Sequence, residues 1–345
     1  MDPMPFTSIL RQIVGGSDAG AGLSEAEAHA LFCAMLDGGV PDLELGAILL
    51  ALRQRGETVE ELVGFRRAAD ARLYRLNLPD DRMRPVVIGA YGGARHMPNL
   101  LPLLAMLLRR LGVPTLLHGT LEGGGRVATA YVLRELGVMP CLTLRQAEEV
   151  LAEQHLAFLP TAALCPGLAA LLALKSRLGV RTAAHTVAKL IDPFGGGAVQ
   201  LVSASTPDRV DQLAEVVGTT DGHALLLCGT EGEPVANALR RPRIDLVADG
   251  VRQVLFEEEG GTGKAVHGLV TAVDATSTAA WIRRALAGET PLPHPIVNQL
   301  ACCLFAVGYT EDMNQAKAIA AVEAGGLTPS RAQARPASAA AAGTR

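Results

Sequence analysis

Between Leu23 and Ala71, apolar residues recur at helical spacing in three short runs, each opened by a start signal. Ser24 precedes the first with Glu27 at the capping-box position, and that run stops at Gly38-Gly39. Pro41 and Asp42 open a second run through Leu52, and Thr58 caps a third that carries Val59, Leu62, Val63 and Phe65. The pattern predicts an all-helical first unit over residues 1–79. After the polar break Leu78-Pro79-Asp80-Asp81 the texture becomes short apolar run, glycine turn and helix: PVVIGAYGG, NLLPLLAMLLRRLG, PTLLHGT, RVATAYVLRELG. That alternation predicts a mainly parallel sheet clothed in helices. A helix centred on Gln146 to Ala152 and the run LAFLP come next. Gly167 to Leu178 then reads as one apolar helix, with Lys175 and Arg177 near its end, where the helix dipole favours cations.

Past Pro193 and a glycine triplet, the runs AVQLVSAS, HALLLCGT, RIDLVA and RQVLF read as further strands, with a helix from Pro207 to Val217 among them. Helices from Ser277 to Leu286, from Pro295 to Val307, and a last one ending near Ala324 close an α/β domain spanning residues 80–326. Residues 327–345 are low-complexity with no periodic apolar face, and read as a disordered tail. GGTGK at Gly260 to Lys264 lacks the glycine spacing of a phosphate-binding loop and follows three glutamates, so it reads as a hairpin loop.

The chain has 345 residues, 49% hydrophobic and 19% charged, enough for about two domains at ~100–200 residues each. Fibrous, disordered and mini-protein classes are excluded. No apolar run reaches the ~18 residues of a membrane span, and MDPMPFTSILRQ lacks the basic and apolar regions of a signal peptide, which points to a cytoplasmic protein without membrane attachment. The six cysteines form no C-x-x-C pair and have no histidine at zinc spacing, so they read as reduced packing residues.

Charge changes the picture. The formal net charge is −4, yet residues 82–191 carry twelve bases against five acids, a net of +7, while 1–81 sum to −6 and 192–345 to −5. An acidic chain with a basic middle can still offer a basic groove, because steering depends on local charge rather than the total.

The run LSEAEAHALFCAMLDGGVPDLELGAILLALRQRGETVEELVGFRRAA resembles the helical domain of the anthranilate phosphoribosyltransferases and pyrimidine-nucleoside phosphorylases, and later segments extend the resemblance to nearly all the chain except the tail. It implies an N-terminal helical domain beside a larger α/β domain, with helices from about 165 to 192 packing near the former and the site in the cleft between them. The family binds a ribosyl phosphate through G-T-G-G-D followed by T-x-N-x-S-T, where glycines let backbone N–H groups approach phosphate. Here Gly89, Gly92 and Asn99 remain. Gly93 stands for the loop Asp, Met97 for Thr and Leu101-Pro102 for Ser-Thr, while Arg95 and His96 are gained. The family's K-H-G-N becomes Leu117-His118-Gly119-Thr120, and its acidic Mg²⁺-holding pair is replaced by Gly229-Thr230-Glu231-Gly232-Glu233. On a strand, Glu231 and Glu233 would point to opposite faces. In LALKSRLGVRTAAHTVAKLIDPF, Lys175 replaces the acceptor-binding Arg, His185 the Asn, and Ala188-Lys189 the Gly-Pro, while Arg181 and Thr182 are kept.

AHTVAKL, GTEGE and Arg240-Arg241-Pro242-Arg243-Ile244-Asp245-Leu246 are similar to the YbiB-type divergent relatives of anthranilate phosphoribosyltransferase. That resemblance implies a homodimer that keeps the transferase fold, lacks the anthranilate activity and binds DNA or RNA with little sequence preference. The substitutions lean the same way, since those at Gly93, Met97, Leu101-Pro102 and the GTEGE turn remove Mg²⁺ or hydroxyl elements and those at Arg95, His96 and Lys189 add basic groups. Few aromatics (3%) argue against base stacking, so affinity would be electrostatic. The candidate phosphate contacts are Arg95, His96, Lys175, Arg177, Arg181, Lys189, Arg240, Arg241 and Arg243. The vestigial ribosyl-phosphate loop comprises Gly89, Gly92, Asn99, His118 and Gly119. No catalytic residue, metal ligand or cofactor is assigned. Ordinary surface charge is the competing account of the cations, and the competing function is a glycosyl or phosphoribosyl transferase acting with Mg²⁺ on an unidentified acceptor.

Overall fold

The computed structural model describes residues 6–15, 22–77, 83–260 and 268–326; the break Leu78 to Asp81, the GGTGK stretch beyond Gly260 and residues 327–345 lie outside the described residues. Four helices come first: α1 (Phe6–Val14), α2 (Glu25–Leu36), α3 (Asp42–Arg55) and α4 (Val59–Asp70). Capping boxes start α2 at Ser24 with Glu27 and α4 at Thr58 with Glu61, and Phe32 stacks on Phe65 at 4.9 Å where the two helices pack. Sequence periodicity did not single out α1, which is only nine residues long.

The α/β part runs β1 (Val86–Ala90), α5 (Leu101–Arg110), β2 (Thr115–Gly119), α6 (Thr129–Glu135), α7 (Leu144–Gln154) and β3 (Leu156–Pro160). Four short helices follow, α8 (Thr161–Leu164), α9 (Pro166–Ala173), α10 (Lys175–Leu178) and α11 (Ala183–Val187). The expected single helix from Gly167 to Leu178 is thus divided at Leu174, where the backbone tightens to three-residue hydrogen bonds (Leu174 N to Leu171 O, Arg177 N to Leu174 O). Then come β4 (Val199–Ala204), α12 (Pro207–Thr219), β5 (His223–Cys228), β6 (Ile244–Ala248), β7 (Val251–Phe256), α13 (Ala275–Leu286), α14 (His294–Ala306) and α15 (Met313–Gly326).

The seven strands lie in the order β3-β2-β1-β4-β5-β6-β7, the first five parallel and the last two antiparallel. The strands β1, β2 and β4 are buried throughout and mostly apolar because both faces are covered. Alternate residues divide between two cores. Val87, Leu116, Ala157, Val202 and Leu226 join a core that includes α2, α4, α9 and α11, whereas Ile88, Leu117, Phe158, Leu201 and Leu225 join one with α5, α13 and α14. Strand order reverses direction between β1 and β4, and in open α/β sheets the crevice at the carboxyl ends of such strands is where ligands bind.

Among the described residues no helix is long and apolar enough to cross a membrane, and all six cysteines are free thiols. The returning helices attach to the helical domain through Gly167, where a Cβ would run into the Leu36 carbonyl at the end of α2. Gly167→Ala should therefore cost about 1–3 kcal/mol of stability, the range for overpacking a filled site. A urea midpoint equal to wild type would show that this contact yields freely.

Candidate functional site

At the crevice two loops meet. The chain leaves β1 as Tyr91-Gly92-Gly93, and leaves β5 into a turn closed by Glu233 N to Thr230 O and Thr230 N to Val235 O. They touch at Gly92, where a Cβ would sit 2.7 Å from the Glu233 nitrogen. Glu233, only 3% exposed, reaches across the contact: its Oε1 accepts from Gly93 N at 2.7 Å and from Thr129 Oγ1 at 3.1 Å. Burial raises its pKa, against those two bonds and the charges of Lys189 and Arg181, which lower it. Arg181 Nη2 donates to the carbonyls of Tyr91 (3.0 Å) and Gly92 (3.1 Å). From the far side, Arg126 Nη1 donates to the carbonyls of Gly93 (3.2 Å) and Glu231 (3.4 Å).

Glu231 and Glu233 lie in this turn and not on a strand, which corrects the sequence expectation; Gly232, at φ +93°, takes the chain out of strand geometry. Their carboxylates still diverge. Glu231, itself left-handed at φ +53°, accepts from three successive backbone N–H groups, those of Arg95 (2.6 Å), His96 (3.0 Å) and Met97 (3.5 Å). Partial burial would raise its pKa, but the three bonds outweigh it and the net shift is downward.

Beside the loops opens a cavity of about 620 Å³, walled by Tyr91, Gly119, Thr161, Lys175, His185 and Glu233 among others. Among the described residues, Lys175 is the cation in its wall, and further cations stand behind it, tied to backbone oxygens. The Lys175 ammonium is lowered by burial and then by Arg181 and Arg126, and Arg181 by burial and then Arg126, with Arg53 of α3 adding to the field. Lys189 donates to Ser203 O at 2.9 Å; burial and the Arg181 charge push it down to about 8. His185 is pushed down to about 4 by burial and the fields of Arg181, Lys175 and Lys189, so it lines the cavity as a neutral ring.

The other expected residues are more scattered. Arg95 and His96 lie in the loop before α5, not at its start, and their side chains are exposed. Asn99 is buried, donating to Thr129 Oγ1 (2.9 Å) and accepting from Leu101 N (3.3 Å), which makes it a brace for the start of α5. His118 Nδ1 bonds the Tyr91 hydroxyl (2.8 Å), which also bonds Thr161 (2.8 Å), and burial lowers the imidazole to about 3. Gly89 and Gly119 permit close approach, a Cβ meeting Lys189 Cα at the first and the Ala90 carbonyl at the second. Arg177 is exposed, 3.5 Å from Asp42. The remaining three arginines stand off at β6, three strands from β1 or ~14 Å at ordinary strand spacing. There Arg240 pairs with Glu258 (2.7 Å), Arg241 with the Glu257 carbonyl (3.2 Å) and Arg243 with Asp245 (2.8 Å). Arg126 was not singled out from sequence; its one signal was a lone base after Gly123-Gly124-Gly125.

A helical bundle beside an α/β domain, with a glycine loop at the crevice between them, is the architecture that the resemblance to the phosphoribosyltransferases implies. The chain belongs to the glycosyl transferase family: that family's helical bundle domain matches residues 7–72 and its α/β domain residues 88–326. It is 41% identical over 306 residues to YbiB of Escherichia coli K12, described as an uncharacterized protein, covering 88% of this chain and 95% of that one. It is 27% identical over 318 residues to the anthranilate phosphoribosyltransferase of Methylocella silvestris, covering 90% of each. Among solved structures, anthranilate phosphoribosyltransferase from Thermus thermophilus superposes with a TM-score of 0.74 at 23% identity over 92% of this chain and 95% of that one. The Saccharomyces cerevisiae enzyme in complex with PRPP and Mg gives 0.70 at 13% identity, covering 93% and 94%.

The residues present do not fit a magnesium–diphosphate clamp. Glu231 is held by backbone N–H groups, Glu233 lies among Arg181 and Lys189, and among the described residues no group of three or more His, Cys, Asp or Glu could hold a metal ion.

Lys189 makes a titration test. Unfolded, the amine keeps its proton to about 10.4; folded, it loses it near 8, so between these values the unfolded chain binds more protons and native stability rises with pH. The stability difference between wild type and Lys189→Met should grow in favour of wild type from about pH 8 to about pH 10. A difference that stays flat on urea unfolding would mean that the folded amine titrates as an exposed lysine.

Proposed function

We propose that this is a cytoplasmic homodimer that binds DNA or RNA without sequence preference, through backbone phosphates drawn to the cleft between its domains. One observation carries the reading: Lys175 faces the cleft with the Arg126 and Arg181 guanidinium groups in its field behind it, and among the described residues none of the three forms an ion pair with a carboxylate. Buried Glu233 offsets only part of this crowding, and a chain of phosphates would supply several further anions at once. The exposed side chain of Arg95 extends the positive field outward from the loop, with His96 beside it as a further hydrogen-bonding group, and Arg177 of α10 adds to it where it is not taken up by Asp42. Lys189 contributes field from inside, while Arg240, Arg241 and Arg243 lie outside this track, engaged at the β6–β7 edge. The homodimer is supported by exposed apolar side chains on two helices that pack together in the helical domain: Leu43 and Leu50 of α3, 82% and 44% exposed, and Val14 of α1, 68% exposed.

A second reading, transferase action on an unidentified acceptor, is favoured by the size of the cavity, about 620 Å³, within the ~300–1,000 Å³ of small-molecule sites. Mg²⁺ belongs to that reading alone. Turnover of phosphoribosyl pyrophosphate that requires Mg²⁺ would establish it.

For nucleic acid, a salt titration with sequence-scrambled duplex DNA should give a linear log–log plot. Lys175→Ala should weaken binding equally for every sequence and flatten the slope by about 0.9, the loss of one phosphate contact. Arg240→Ala should leave the slope as it is. If Lys175→Ala binds with unaltered slope, the cleft is not the track.

A further inference from the structure

The loop after β1 presents a receptor built for an oxyanion, and the protein fills that receptor itself. Three consecutive N–H groups, at Arg95, His96 and Met97, converge on the Glu231 carboxylate, with bonds from 2.6 to 3.5 Å. Converging backbone donors of this kind bind phosphate as readily as carboxylate. We propose that Glu231 is an internal stand-in for phosphate, holding the receptor closed so that a phosphate group takes the loop only by expelling it.

Stapling the two loops together does not by itself account for Glu231. That task is met two residues on by Glu233, whose Oε1 bonds Gly93 N, and by Arg126, which bridges the Gly93 and Glu231 carbonyls. The backbone contact at Gly92 adds to them. Glu231 is also poised to leave. It is only partly buried, its residue sits in a left-handed conformation that non-glycine side chains seldom adopt, and Gly232 beside it supplies a flexible turn. The cost of its charge falls on the incoming ligand: a phosphate approaching the loop meets a carboxylate already seated. Expulsion would leave the three N–H groups facing the phosphate, with the Arg126 guanidinium close by.

The inference does not depend on nucleic acid being the partner, because its probe is inorganic pyrophosphate without Mg²⁺. Calorimetric titration of the full chain should show Glu231→Ala binding pyrophosphate about tenfold or more tightly than wild type, a difference of about 1.4 kcal/mol, and Glu231→Gln in between. Amide hydrogen exchange at residues 95–97 should be slow in wild type, fast in Glu231→Ala, and slow again when pyrophosphate is added to that variant. If Glu231→Ala does not fold, Glu231→Gln carries the test, since it keeps the side chain's length and an acceptor oxygen while losing the charge. Equal or weaker pyrophosphate binding by the folded variants overturns the proposal, as does exchange at 95–97 that pyrophosphate leaves unaltered. Tighter pyrophosphate binding by a protein that ignores DNA would leave this inference standing and remove the nucleic-acid reading.

Discussion

Glu233 is enclosed by protein, so its carboxylate must be met by donors and by positive charge, and the way it is met determines the cleft. Gly93 N and Thr129 Oγ1 take one oxygen, which fastens the loop after β5 to the loop after β1 and to the start of α6. Arg181 and Lys189 supply the compensating field. A buried carboxylate stripped of such partners costs on the order of 3–5 kcal/mol, so these cations are held in place by the carboxylate as much as it is by them. Arg181 then orders Tyr91 and Gly92 by their carbonyls, and Tyr91 orders His118 and Thr161. Cavity wall, glycine loop and cation cluster thus share one electrostatic origin.

The same balance explains why the residues at this site do not fit a magnesium–diphosphate clamp. In place of converging acids there are ammonium and guanidinium groups, and the two acids that remain are taken up by backbone N–H groups and the Thr129 hydroxyl. A phosphate entering here would meet guanidinium and ammonium charge supplied by the protein itself. Direct contacts of this kind are strong and salt-sensitive, and they carry no sequence information.

Much of the architecture was legible in the sequence because it is written locally. The capping boxes at Ser24 and Thr58, the apolar strands ending in glycine and the helix from Pro207 each depend on neighbours a few residues away. The resemblance located the glycine loop and the cleft. What stayed hidden was pairing across distance. Glu231 meets the N–H of Arg95 from 136 residues away, and Arg126 joins both loops from a glycine-rich turn that carries no motif. The basic middle, continuous along the chain, separates in space. Lys175, Arg181 and Arg126 gather at the carboxyl ends of the strands, whereas Arg109 and Arg110 sit at the end of α5 beside His155, which precedes β3. Net charge along a segment says nothing about which faces its side chains occupy once helices alternate with strands.

The core that begins between α2 and α4 runs without interruption through α9 and α11 to one face of the sheet, at Val87, Leu116 and Val202. Two sequence domains therefore share one cooperative unit. Cutting the chain near residue 80 would strip one sheet face of part of its cover and divide the core that the helical domain shares with it, while the core on the other face would stay whole in the longer fragment. Swinging the two domains apart would expose part of that shared apolar core to water, a cost that movement confined to the short helices α10 and α11 and the loops they face would not incur.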